Sequence, residues 1–172
     1  MTEPLVSLCV PTRNRAEGLA RGLASTCGQD YGRLEILISD NASDDHTERV
    51  CREMAAEDNR IRYIRQPKNI GLYGNHNFCL DESRGEFICF FHDHDDRDRS
   101  IVSRYVRFMQ EHQTVGVVCS DWNVVDAEGE HLDSRDRQVP SVVSGLEFIT
   151  RTFASGRSSL NTPGAMIRKS AL

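Results

Sequence analysis

The chain of 172 residues contains no apolar stretch approaching the roughly 20 residues that a membrane-spanning helix needs. Its start, MTEPLVSLCVPTRNR, lacks the basic segment and long apolar core of a secretory signal, so a cytoplasmic protein is expected. An excess of positive charge is also missing. Against 21 Lys+Arg stand 26 Asp+Glu, a formal charge of -5, and no global field recruits nucleic acid or an anionic membrane. Among six cysteines there is no CxxC pair, which removes the usual thiol signature of a metal or redox site. Cys9, Cys89 and Cys119 lie inside the apolar runs SLCVP, FICFF and VGVVCSDW, and the six are read as buried reduced thiols that behave as small hydrophobes. Internal repeats and low-complexity tracts are absent too.

What is present fits one globular domain. Hydrophobic residues make up 38% and charged residues 27%, too apolar a mixture for a disordered chain. Val6 to Pro11 is a short apolar run closed by proline and reads as a buried strand. Asn14 followed by Glu17 suggests a capping box for a helix from about Arg15 to Cys27, with Leu19, Leu23 and Cys27 on one face. LEILIS, Leu34 to Ser39, is apolar on both alternations, as a strand covered on both faces should be. Ser43 or Asp44 then caps a helix carrying Val50, Cys51 and Met54. Ile61 to Ile64 is a third strand, Asn69 to Leu80 a third helix with Gly85 as its stop, and Glu86 to Phe91 a fourth strand. A helix through Ile101 to Met109 and a strand from Val115 to Cys119 follow. This alternation implies helices on a mostly parallel sheet. Beyond it, Trp122 to Val125 with the turn DAEGE suggests a hairpin, Gly145 to Phe153 a helix and Thr162 to Ile167 a strand.

In such sheets ligands bind beyond the carboxyl ends of the strands. Three of the strands end in polar groups: Pro11, Thr12, Arg13 and Asn14; then Asp40, Asn41 and Ser43; then His92 to Asp96. A parallel sheet brings all three sets to one edge. The cluster Asp93, Asp95 and Asp96 is the most demanding of them. Two carboxylates about 4 Å apart repel by ~1 kcal/mol in water and ~4 kcal/mol at an effective dielectric near 20. A partly buried group of them calls for a cation, and hard oxygen ligands favour Mg2+ or Mn2+ together with an anionic partner such as a diphosphate. The bland alternative is an acidic turn that caps the following helix.

The succession VSLCVPTRNR, LEILISDNASDDHT, PKNIGLYGNHNF and GEFICFFHDHDD resembles the family 2 glycosyltransferases of the GT-A fold, from about Leu5 to Asp98 and more weakly to Leu172. The resemblance implies an α/β Rossmann-like three-layer sandwich spanning residues 1–172. Residues 1–120 would form the nucleotide-sugar-binding half, and 121–172 the start of an acceptor half. It further implies a nucleotide-diphosphate-sugar donor, most often a UDP-sugar, a divalent Mn2+ or Mg2+ held by a DxD motif, and transfer with inversion at the anomeric carbon. Cell-surface polysaccharide or glycoconjugate synthesis is the setting this suggests. Carried over by position, Pro11, Thr12 and Arg13 would line the nucleoside pocket and Asp40 would accept a hydrogen bond from the base. Asn69, Gly71 and Asn75 would close over the ribose and diphosphate, with Lys68 neutralising a phosphate. Asp93 and Asp95 would form the DxD, and Asp95 and Asp96 would reach the metal or the donor ribose.

Two departures stand out. His92 and His94 replace a leucine and a small residue, which would shift the metal preference toward a softer ion. The family's general-base carboxylate normally follows the segment matched by NTPGAMIRKSAL, so no catalytic base is assigned and the chain is expected to be truncated at its C-terminus. Asp121 is the nearest candidate base, although a structural cap is its plainer role. Two competing readings follow. One is a fragment that binds the donor without turning it over. The other takes His92, His94 and Asp96 as the HxHxD of a dinuclear zinc hydrolase, with Arg97 where that motif has histidine. His46 and His76 read as surface or packing residues, and Trp122 as a core or loop anchor.

Overall fold

A computed structural model describes residues 2–93, 95–126, 130–135, 142–155 and 164–172. Its centre is β1, Val6–Thr12, whose side chains are almost all buried. On one flank β1 pairs in parallel with β2, Leu34–Asp40, which pairs in parallel with β3, Ile61–Arg65. On the other flank β1 pairs in parallel with β4, Phe87–Phe90. Two further strands complete the sheet. β5, Val117–Cys119, and β8, Ala165–Arg168, give the order β3-β2-β1-β4-β8-β5, with β8 antiparallel to both its neighbours. The mostly parallel sheet expected from the sequence is present, with β8 running against the rest. The expected hairpin is a separate two-stranded sheet of β6, Trp122–Val125, and β7, His131–Arg135. The centre of its turn lies outside the described residues, as does the beginning of the strand expected from Thr162.

The alternating faces of the strands explain the layers. Val6, Leu8 and Val10 of β1 with Ile36 and Ile38 of β2 face α1, Ala16–Cys27, α2, Thr47–Glu57, and α4, Ile101–Glu111, through Leu19, Leu23, Cys51, Val102 and Met109. Cys9, Leu37, Ile88 and Phe90 face the other way, onto Cys79 of α3, Gly71–Glu82. Three layers result, with α5, Gly145–Ser155, following the hairpin. Four of the cysteines, Cys9, Cys51, Cys79 and Cys89, are buried as expected, but Cys27 and Cys119 are only half-buried. All six are free thiols. Burial pushes the Cys27 thiol up to about 11, with the Asp58 carboxylate adding to it, and burial takes Cys51 to about 12. Both stay protonated and unreactive near neutral pH.

Two expected helix caps are replaced by contacts from a neighbouring loop. Asn14 does not form a capping box with Glu17: it sits at φ 54, and its Oδ1 accepts from the Asp44 amide. The first amides of α1 are satisfied across the loop, Arg15 N–H by Thr47 Oγ1 at 3.0 Å and Ala16 N–H by Asp45 Oδ2 at 3.2 Å. Neither Ser43 nor Asp44 caps α2, where Asp45 Oδ1 accepts from Thr47 N–H instead. Parallel pairing of β1 and β2 brings their two loops side by side, and a tertiary partner for an orphan amide serves as well as a local one. Gly85 is not the stop of α3, which ends at Glu82. A Cβ there would stand 2.6 Å from the Ser7 amide nitrogen, so glycine is required by close approach of two backbones.

At the amino-terminal edge Glu35 is buried in a polar network. Its Oε2 accepts from Ser7 Oγ at 2.6 Å and Arg84 N–H at 2.9 Å, and its Oε1 from Arg62 Nε at 3.0 Å. Burial alone would raise its carboxyl, but these three donors outweigh it and hold Glu35 below the ordinary range. The stabilisation is therefore full above the unfolded value near ~4.3 and is lost as pH falls through the lower folded value. Glu35→Gln is expected to lower the unfolding free energy in urea by about 1.5–3 kcal/mol at pH 7. The gap from the wild type should narrow on acidification, and a gap independent of pH would contradict the assignment.

Candidate donor-binding site

Chain order places a topological switch beside β1. From β1 the chain passes to β2 and β3 on one side, then returns to β4 on the other. At such a point the loops after adjacent strands diverge and leave a crevice. The three polar strand ends named from the sequence meet here, after β1, β2 and β4.

Thr12 closes β1 and is 3% exposed. Its hydroxyl donates to Asp93 Oδ2 at 2.6 Å, directly across the switch. Pro11 is half-buried, while Arg13 is exposed at the rim. Asp40, at the end of β2, is fully buried. Its Oδ1 accepts from Ser43 N–H at 2.9 Å and Ser43 Oγ at 2.5 Å. Its Oδ2 accepts from Tyr63 Oη at 2.8 Å and lies 3.6 Å from Arg65 Nε. Ala42, at φ 55, turns the chain between them. The buried carboxylate thus organises its own loop and the end of β3, and any contact with a base must be made beside these partners. Burial and the adjacent Asp40 push the Tyr63 phenol far above its ordinary range, so Tyr63 remains a donor.

On the far side of β2, Lys68, Asn69 and Gly71 are exposed at the start of α3, where Gly71 adopts φ +79. Asn75 is elsewhere: it is 3% exposed, accepts from Ser39 Oγ at 2.6 Å and donates to Ser39 O at 2.9 Å. It anchors α3 to β2 from beneath the edge.

The acidic loop after β4 is graded in exposure. Asp93 is buried, Asp95 half-buried and Asp96 exposed. None of the three caps α4. The first amides of α4 are met by the Asp98 carbonyl, which accepts from Ile101 N–H at 3.1 Å, and by Gln29 Oε1, which accepts from Val102 N–H at 3.4 Å, while the Asp98 carboxylate accepts from Ser100 N–H and Oγ just before the helix and is held below the ordinary range. The capping explanation therefore does not account for Asp93, Asp95 and Asp96. Arg97, named from the sequence only as a departure from the HxHxD motif, has its guanidinium 3.0 Å from Asp95 Oδ2 and over the Phe91 ring at 5.1 Å. Its buried Nε finds no hydrogen-bond partner among the described residues. His92 Nδ1 is 3.9 Å from Asp95 Oδ2, and the His92 ring meets His76 edge-on at 6.2 Å. His76 itself stacks on Phe90 at 5.0 Å, a packing role, whereas His46 is exposed. His94 lies outside the described residues, and with it part of the HxHxD reading.

Among the described residues no three His, Cys, Asp or Glu side chains converge as ready-made metal ligands. The oxygen donors present would suit a hard cation, and Asp95 and Asp96 would be the residues to hold it. An open cleft of about 1480 Å³ adjoins this loop, bounded by Asp95, Asp96, Arg104, Tyr105, Asp121 and Trp122. It extends from the carboxylates toward β5 and the hairpin, away from Asp40 and Asn69. The site is two-sided, with the polar strand ends of β1 and β2 on one side and the open cleft beside the acidic loop and β5 on the other.

Comparison with known proteins shows the family and the fold. Residues 7–171 match the pattern of Glycosyl transferase family 2, and the chain belongs to that family. A Campylobacter jejuni GalNAc(5)-diNAcBac-PP-undecaprenol beta-1,3-glucosyltransferase is 39% identical over 94 residues, 54% of this chain and 30% of the relative. An uncharacterized glycosyltransferase of Haemophilus influenzae is 23% identical over 164 residues, 93% of this chain and 65% of the relative. The chain thus spans less than two thirds of the length of either. Among solved structures, S. aureus TarS 1-349 in complex with UDP-GlcNAc superposes with a TM-score of 0.75 at 21% identity, covering 96% of this chain and 46% of that one. Mannosyltransferase PcManGT from Pyrobaculum calidifontis, in complex with GDP-Man and Mn2+, gives a TM-score of 0.64 at 24% identity over 70% of this chain and 36% of that one. The fold is therefore the GT-A fold expected from the sequence. No helix among the described residues is long and apolar enough to cross a membrane.

Replacing Tyr63 by Phe deletes one donor to the buried Asp40 and is expected to cost about 1–3 kcal/mol of unfolding free energy in urea. An unchanged midpoint and slope would show that Arg65 and Ser43 suffice.

Proposed function

We propose that residues 1–172 carry the donor side of a glycosyltransferase that moves a sugar from a nucleotide diphosphate to an acceptor hydroxyl. The observation that carries this reading is the meeting of Thr12, the Asp40–Ser43 turn, Asn69–Gly71 and the Asp93–Asp96 loop at one switch-point edge. Family membership and the resemblance of the fold to structures holding UDP-GlcNAc or GDP-Man support it.

In this assignment Pro11, Thr12 and Arg13 border the nucleoside, Asp40 lies beneath the base, and Lys68, Asn69 and Gly71 face the ribose and diphosphate. Asn75 serves the same region by fixing α3. Asp95 and Asp96, with Asp93 behind them, face the diphosphate and the divalent cation, Mn2+ or Mg2+. When bound, that cation supplies charge neutralisation for the departing diphosphate. In transfer the acceptor oxygen bonds to the anomeric carbon from the side opposite the diphosphate, which inverts the centre. The sugar–phosphate bond breaks with its electron pair leaving on the nucleotide diphosphate, and the acceptor proton passes to a base. Asp121 borders the cleft but is given no such role. A uracil nucleotide is the donor base we favour. Residues 121–172 would begin the acceptor half of the same domain, and the setting would be assembly of a cell-surface glycan inside the cell.

Thermal unfolding with UDP, GDP and dTDP, each with and without Mn2+, tests the reading without any acceptor. Ligand at 100 times its dissociation constant stabilises by ~2.7 kcal/mol, roughly a 5 to 10 °C rise for a domain of this size. A rise with UDP that is enlarged by Mn2+ is expected, and no rise with any nucleotide would refute the assignment. Asp95→Ala removes the partner of the Arg97 guanidinium, so it should lower the midpoint of the unliganded protein modestly while leaving unfolding cooperative, and should lose the Mn2+-dependent increment. An increment unchanged in that variant would remove Asp95 from the site.

A further inference from the structure

The loops on the two sides of the switch are joined by a continuous line of hydrogen bonds. Asn41, 5% exposed, spends its whole side-chain amide on the start of α3: Oδ1 accepts from Ile70 N–H at 2.8 Å, and Nδ2 donates to Asn69 Oδ1 at 2.9 Å and to Gly71 O at 3.2 Å. Its backbone N–H donates to Thr12 O at 2.9 Å. The Thr12 hydroxyl then reaches Asp93 Oδ2 at 2.6 Å. The line runs from exposed peptide 69–71, through two buried side chains, to the acidic loop 93–96.

We propose that Thr12 and Asn41 are positioning residues that set the separation between the Asn69–Gly71 peptide and the Asp93–Asp96 carboxylates, and so the span available to a nucleoside diphosphate. The proposal rests on the donor-site reading above, adds Asn41 to it, and gives Thr12, which that reading sets beside the nucleoside, a second role through Asp93. Neutrality of residue 41 is essential to it. An aspartate could still accept from Ile70 N–H, but its second oxygen would face Asn69 Oδ1 and Gly71 O with no proton to share. Thr12 needs its hydroxyl and little else, because it is the partner of a buried carboxylate. A diphosphate bridged between the two loops is sensitive to their separation on the ångström scale.

The test is isothermal titration of UDP into the wild type and into Asn41→Asp, Thr12→Val and Thr12→Ser, with and without Mn2+, each variant first checked for cooperative unfolding. Asn41→Asp should weaken UDP on the order of tenfold under both conditions, because the nucleotide-side peptide loses its support. Thr12→Val, which keeps the volume, should lose a larger share of the Mn2+-dependent gain than of the affinity for UDP alone, and Thr12→Ser should restore that gain. A merely structural role would lower the unfolding midpoint without dividing the two affinities in this way. Wild-type affinities in both Asn41→Asp and Thr12→Val overturn the proposal and leave the donor site standing. If Asn41→Asp does not fold, the Thr12 pair decides: a full Mn2+ gain in Thr12→Val, or none restored by serine, overturns it. A wild type that binds no nucleotide overturns the donor-site reading itself, and the positioning role falls with it.

Discussion

Parallel pairing of β1 with both β2 and β4 is the constraint on which the rest of the molecule depends. It places three carboxyl-terminal strand ends on one edge and forces their loops into contact. It also buries the strand ends deeply enough that polar residues there must find partners inside the protein. Thr12 finds Asp93, Asp40 finds Ser43 and Tyr63, and Asn41 finds the start of α3. The edge is thus organised before any ligand arrives, as a site for a charged, multi-part ligand requires.

This organisation separates two kinds of polar residue that look alike in sequence. Asp40, Asn41, Asn75 and Asp93 are buried and spend hydrogen bonds on the scaffold, whereas Arg13, Lys68, Asn69 and Asp96 are exposed at the rim. The buried set fixes loops and, in the proposed site, the exposed set would face the ligand, with Asp95 between them, half-buried and held by Arg97. On the proposed reading such a division would let a diphosphate site be rich in carboxylates: those nearest the core are already met by donors, and the outer ones would be left for a cation.

Much of this was legible from the residue pattern. The nearly continuous apolar character of LEILIS told of a strand covered on both faces, and β2 is buried along its whole length, Glu35 and Ser39 included. The polar groups after Pro11, Ser39 and Phe91 told where an edge would gather chemistry. Local signals failed where tertiary partners displaced them: Asn14 caps nothing in its own helix because Thr47 and Asp45 reach the α1 amides first, and Gly85 serves a backbone crossing rather than a helix end. Nothing in the strand pattern of IRYIR marked Tyr63 as the donor to Asp40, since an aromatic on a strand reads as packing. Arg97 was hidden in a mixed-charge run, where its cover over Phe91 and its ion pair with Asp95 have no local signature.

The central claim is that a nucleoside diphosphate and a divalent cation sit together over the β1–β4 switch. Paramagnetic broadening of backbone amide resonances by Mn2+ in the presence of UDP locates the ion directly. Broadening centred on residues 92–97, extending to Thr12 and weaker at 68–71, is the expected result. Broadening centred on the hairpin or α5, or spread evenly over the acidic surface, would contradict it.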